Sequence, residues 1–404
     1  MATHTIGTGG DFSTPQLWED DLPATMTEQR IGQLKNQEFT ASGSVIDFSA
    51  HATTSSFNVI FECAAGASFK DNANVRTNAL RYNSANGAAI RTTSTSGALR
   101  ISGSVNHLTI RGIQIANSGS AYNNLGISQG GGASTTNLLI QDCIVEVMAG
   151  SAPAVQLSSG SGTLVVNCCI IQRNGSGDGF QWGGSTGTQV IGCTIVAPSN
   201  NTSSAQAANS NYQPITVKNC ALFGFAVDAD SLTSGSDYNA TSFSDAGSTL
   251  PDNSPDHNVY DVAYDTTLFQ QPSDSGGNHD FRLKSGNGLA DAGIYDATNS
   301  PNDISGTVRA NPPDIGAWEL AAANQTVSPG LINNGVTLFD PAITTGGAVI
   351  APGRISLSMI FYAPVITGGA ITEIFTLAVD ERSFAIDLFD DREIEPGIVD
   401  ERSF

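Results

Sequence analysis

The chain is expected to fold as an all-β solenoid, a rod of stacked parallel coils, and three observations predict it. The first is a recurring register, apolar-x-x-apolar-x-apolar, in Ile110/Ile113/Ile115, Ile140/Cys143/Val145, Val166/Cys169/Ile171, Val190/Cys193/Ile195 and Val217/Cys220/Leu222. Its middle residue advances from 113 to 143, 169, 193 and 220, in coil-sized steps of 30, 26, 24 and 27. The second is the period-two placing of β-branched residues within these segments. The third is composition: 43 Gly and only 14% charged residues, with Ser-, Thr- and Asn-rich connections suited to tight turns.

Residues 1–35 read as an entry segment and cap. Gly7, Gly9 and Gly10 precede Asp11, and Trp18, Leu22 and Met26 fall on one face of a short helix that would cover the first coil. Residues 36–240 are the parallel β-helix, with VIDFSA, NVIFECA and ALRYNS as early coils. Eight to ten coils at ~4.8 Å spacing give a rod of about 40–50 Å. The segments GSAYNNLGISQGGGAST and APSNNTSSAQAANSNYQ read as insertions between repeats, natural sites for a binding surface.

Residues 241–320 carry more Pro, Asp and Tyr and read as the irregular closure of the rod, with Tyr260, Tyr264, Phe269, Phe281 and Trp318 covering its terminal coil. Residues 321–372 form a second, β-rich repeat, in which Pro329 and Pro341 recur as Pro352 and Pro364. Residues 373–404 are read as an acidic extended assembly arm. Val379–Phe384, Phe389–Ile394 and Val399–Phe404 repeat an apolar-acid-acid-Arg pattern every ten residues, suited to adding a strand to a neighbouring edge.

The formal charge is −21, with no basic stripe, which argues against nucleic acid as a partner. No apolar run approaches a membrane span and no h-region opens the chain, so neither membrane insertion nor a signal peptide is expected. Cys143, Cys169, Cys193 and Cys220 are assigned to one inward column of unpaired thiols, with Cys168 on the opposite face or in the bend. No metal and no cofactor is expected: no CxxC pair completes a zinc set, and DADSLTSGSD offers oxygen ligands without EF-hand spacing.

Glycan hydrolysis would need two carboxylates about 5–10 Å apart. The weak catalytic candidates are Asp178, Asp228 and Asp230, the last two on one side of a strand, and Phe180 and Trp182 beside Asp178 are candidate sugar-stacking residues. The competing reading makes these acids turn formers. No His pairs with Ser or Cys at motif spacing.

HTIGTGGDFSTPQLWEDDLP resembles the entry segment of right-handed parallel β-helix proteins of bacterial surfaces and bacteriophages. DFRLKSGNGLADAG, with Arg309 and Asp314 to Glu319, is similar to the closing segment of the pectate-lyase-like superfamily. That superfamily's catalytic arginine and calcium-binding aspartates have no counterpart placed in this sequence. Residues 327–404 resemble C-terminal pieces of tailed-bacteriophage structural proteins, and the resemblance implies a trimer.

The expected function is therefore a virion structural protein, a spike, fibre or capsid-decorating element, assembled in the host cytoplasm and contacting other virion proteins. The alternatives are a tailspike depolymerase of bacterial surface polysaccharide and a glycan-binding adhesin. The expected assembly residues are Phe339, Phe361, Tyr362, Phe384, Phe389, Ile394 and Phe404, with Arg382, Arg392 and Arg402 as charge partners.

Overall fold

A computed structural model describes residues 1–119, 124–130, 132–174, 176–184, 187–198, 205–210, 213–273 and 277–320, and then the backbone of four short strands between 342 and 386. The chain divides into two units, 1–321 and 322–404. The first is a right-handed parallel β-helix of three sheets with eight, eight and seven strands.

The first sheet runs from Ala2–Ile6 through Arg30–Leu34, Val59–Cys63, Leu108–Arg111, Leu139–Gln141, Leu164–Val166 and Gln189–Ile191 to Thr216–Lys218. The second runs from Glu38–Ala41 to Ala240–Thr241, and the third from Ile46–Phe48 to Val227–Asp230. The seven strands of the third sheet set the number of full coils, fewer than eight to ten. The solenoid also starts earlier than residue 36, because Ala2–Ile6 and Arg30–Leu34 already pair in parallel.

Within residues 1–35 the cap is the helix Pro15–Asp20 and the segment after it through Met26, which bury Trp18, Leu22 and Met26 together. Thr14 accepts from the Leu17 N–H at its start, and Trp18 turns into the end of the rod. The indole stacks on Phe61 at 5.7 Å and meets Phe48 edge-on at 6.4 Å. It lies over Gly32, where a Cβ would come within 2.6 Å of the ring. Glycine is thus a steric requirement at that site.

The coils stack in strict register, with Ile110, Ile140, Val165, Val190 and Val217 in one inward line. At the bend into the second sheet one residue per coil is left-handed: Gly112, Asp142, Asn167, Gly192 and Asn219, with φ between 51° and 70°. Gly, Asn and Asp are the residues that tolerate this conformation. The next residue enters the core, so the thiol column is Cys143, Cys168, Cys193 and Cys220.

The expected register was thus one residue off in a single coil. Val166 and Cys169 are not the inward residues there; Val165, Cys168 and Ile170 are, and Cys169 faces out of the solenoid. The slip arose because both faces of that coil are apolar. Ile144, Cys169, Ile171, Val196, Ala221 and Phe223 build a second core on the outside of the second sheet. A one-residue slip exchanges the two faces, and doublets such as Cys168–Cys169 conceal it.

Two segments cover that second core. ALRYNS is not a coil strand but part of a long loop that lays Phe69, Leu80 and Tyr82 on the sheet. Residues 259–320 do not close the end of the rod alone. They run back along its flank, where Phe269, Phe281, Leu289, Ile304, Ile315 and Trp318 are buried and Tyr264 packs against them, while Tyr260 packs on the inner core. Arg76 clamps the cover: it pairs with Asp303 at 3.0 Å, donates to Glu319 O, and lies 4.0 Å over the Trp318 ring.

The two supposed insertions contain strands of the third sheet, Ile127–Gln129 and Gln206–Ser210. Their polar outward residues hid the alternation. In the second unit, Ala342–Ile343 pairs antiparallel with Ile350–Ala351, and Phe375–Val379 with Arg382–Ile386. At the first ten-residue repeat, Val379 pairs with Arg382 and Leu377 with Phe384 across these two antiparallel strands. Phe339, Phe361, Tyr362, Phe389, Arg392, Ile394, Arg402 and Phe404 lie outside the described residues.

Candidate functional site

The outer face of the third sheet is polar. Strand alternation and parallel pairing place Asp47, Arg100, Ser128, Gln156, Gln181, Asn209 and Asp230 in one row. Gln156 Nε2 donates to Gln181 Oε1 at 2.6 Å, and Arg100 pairs with Asp47 at 3.4 Å. The row thus presents amides along its centre and charges toward its ends.

Asp178 sits at the margin of this face, buried to 9% exposure. Its carboxylate accepts from the Gln206 N–H at 2.8 Å, Asn209 Nδ2 at 2.7 Å and Gln181 Nε2 at 3.3 Å, tying neighbouring coils together. Burial pushes the carboxyl above its ordinary value despite these donors. Phe180 and Trp182 do not flank it as a platform. They alternate inward, in line with Val155 and Leu157, and have no exposure, so neither ring can stack on a sugar.

Asp228 and Asp230 do not form an accessible pair. Asp228 is buried and accepts from the N–H and hydroxyl of Thr249 and from the Ser248 hydroxyl, which pins the 244–250 turn to the last strand of the sheet. Asp230 is exposed, with Ser231 Oγ donating to it at 3.3 Å. The structure thus brings no two of the three candidates together as free carboxylates.

Three clusters went unseen in the sequence. His51 Nε2 lies 2.7 Å from Glu19 Oε1 and 3.1 Å from Ser49 Oγ. The Ser-x-His spacing was a local hint, but Glu19 arrives from 32 residues away. Asp237 pairs with His257 Nδ1 at 2.8 Å, and the imidazole stacks on Tyr238 at 4.4 Å. Among the described residues, Asp245, Asp252 and Asp256 bring carboxylate oxygens within 4.8 Å of one another, all exposed. They offer part of the oxygen set a hard cation such as Ca²⁺ takes. Asp256 already accepts from Asn258 and the Tyr260 hydroxyl.

No known sequence family and no curated protein matches the chain. Among solved structures, it is similar to pectin methylesterase from Aspergillus niger, with 13% identity and a TM-score of 0.34 over 59% of this chain and 82% of that one. It is also similar to pectin methylesterase from carrot, with 11% identity and a TM-score of 0.36 over 59% and 81%. Likenesses of this depth carry no argument about chemistry. The class defined by the structure is a nearly all-β, right-handed parallel β-helix protein.

Proposed function

We propose that this chain is a structural protein of a tailed-bacteriophage particle, with the β-helix as a rigid projecting element and residues 322–404 as the part that joins it to neighbouring subunits. The observation that carries the reading is the use made of buried carboxylates. Asp142 binds Lys70 and Asn167, Asp178 binds three donors on its own and the neighbouring coil, Asp228 binds the 244–250 turn, and Asp303 and Glu319 hold the flank cover. Acids placed this way stiffen a rod. The separate second unit, with its repeated sequences, supports a joining role. Particles carrying a 1–321 truncation should assemble with the protein lost, while the truncated rod purifies folded. Normal occupancy would sink the proposal.

The amide-rich row on the third sheet favours one second reading, contact with a host surface glycan. Side-chain amides present paired donors and acceptors to hydroxyls. Q156A/Q181A protein should then lose retention on immobilised host polysaccharide. Release of reducing ends, abolished by Asp230→Ala, would move the case to the depolymerase.

A further inference from the structure

We infer that the fold holds His51 as an imidazolium, and that loss of its proton releases the N-terminal cap, making the first coil a pH-gated end of the rod. The argument is a proton count. Nδ1 lies 3.0 Å from the Pro23 carbonyl, which only accepts, so Nδ1 carries hydrogen. Nε2 lies 2.7 Å from Glu19 Oε1. That oxygen already accepts from the Ser49 N–H and the Ser49 hydroxyl, both at 2.8 Å, a donor set that suits a carboxylate. Nε2 therefore also carries hydrogen, and a ring with two N–H groups is cationic. Since the Ser49 hydrogen goes to Glu19, serine and histidine do not form a nucleophile and its base.

The pair fastens the cap to the rod. Glu19 follows Trp18 on the helix Pro15–Asp20, whereas Ser49 and His51 follow the strand Ile46–Phe48. Backbone bonds from Met26 to Ala52 and from Ala52 to Ala24 complete the seam. Glu19 is 2% and His51 6% exposed, so water does little to screen the pair. The other charged groups around it are Asp20 and Asp47, which line the adjoining cleft with Gln16 and Ser102, and Arg100, which is occupied by Asp47.

Burial alone disfavours the cation, but the hydrogen bonds to Glu19 and Pro23 and the carboxylate's charge outweigh it and lift His51 above its ordinary 6.5. Burial would likewise raise Glu19, but the bonds from His51 and Ser49 bring it below its ordinary 4.5. A raised histidine contributes stability that is whole below 6.5 and lost as pH rises through the raised value. The lowered glutamate contributes stability above 4.5 that is lost as pH falls through its lowered value. The cap is tightest between these limits, and alkali opens it by leaving a bare Nε2 lone pair against a carboxylate.

The test is hydrogen exchange with mass spectrometry on the full chain from about pH 5.5 to about pH 9, corrected for intrinsic exchange, with an NMR titration of the His51 ring. The opening constant of a peptide over 14–26 should rise by up to about tenfold per pH unit between the ordinary and the raised pKa, then level off. A peptide over 164–172 should not follow. His51→Gln, which keeps a neutral donor, should flatten the step, and Glu19→Gln should move the ring titration down. If His51→Gln does not fold, Glu19→Gln carries the test alone. A ring titrating at or below the ordinary value, or a step that survives His51→Gln, overturns the inference.

Discussion

Arg309 Nη2 donates to Asn167 Oδ1 at 3.1 Å, joining positions 142 residues apart. Asn167 is one of the left-handed bend residues, and Ser300 Oγ donates to the same oxygen at 2.6 Å. Arg309 also reaches Glu319 at 3.3 Å and the carbonyls of Asp314 and Gly316. The bend of the solenoid is therefore the seat on which the flank cover is locked.

Arg309→Met should destabilise the first unit by about 3–5 kcal/mol, because it strands a buried Glu319 carboxylate. Chemical denaturation of the 1–321 truncation measures it. The double variant with Glu319→Gln should cost less than the sum of the two single variants. Simple additivity would mean that the two side chains act independently.

Gly192→Ala should cost about 1–3 kcal/mol and loosen the same lock. Its φ is +60°, and a Cβ would come within 2.8 Å of Asn167 Oδ1 and 3.0 Å of Arg309 Nη2. The expected signature is faster exchange across 295–310 together with the stability loss. A neutral substitution would contradict the close approach.

The thiols offer a check on register. All six cysteines are free, and only Cys63 is not fully enclosed. Burial pushes Cys168, Cys169 and Cys220 well up, and Cys63 with them, so none of these four is a ready nucleophile. An aromatic disulfide reagent should titrate at most one thiol in native protein and all six after unfolding. Rapid native reaction of Cys169 would show that the flank cover does not sit on it.

Acidification should strengthen the rod before it weakens it. Burial raises Asp142, Asp178, Asp314 and Glu319 above their ordinary values. Acids raised in the fold contribute stability that is present below their ordinary pKa and lost as pH rises through the folded value. Lowering the pH also relieves a net charge of −21. The thermal midpoint should therefore climb as the pH falls through the raised values toward the ordinary 3.8 and 4.5, and Asp178→Asn should remove part of the climb. A midpoint that falls steadily over that range would show these acids are held ionised.

Periodicity alone determined that this chain is a parallel β-helix. Each coil must send small or branched apolar residues inward at the same step, and Ile110, Ile140, Val190 and Val217 carry that demand openly. The left-handed bend at Asp142, Asn167, Gly192 and Asn219, each just before an inward residue, emerged only in the structure. Tertiary structure decided the register at 165–170, because covering segments from 69–82 and 259–320 make both faces of the second sheet apolar there. It also turned Phe180 and Trp182 into core, put Asp178 and Asp228 to work as braces, and set Glu19 against His51. Those outcomes depend on contacts between residues tens to hundreds of positions apart, which coil stacking and the returning flank cover create and local sequence pattern does not encode.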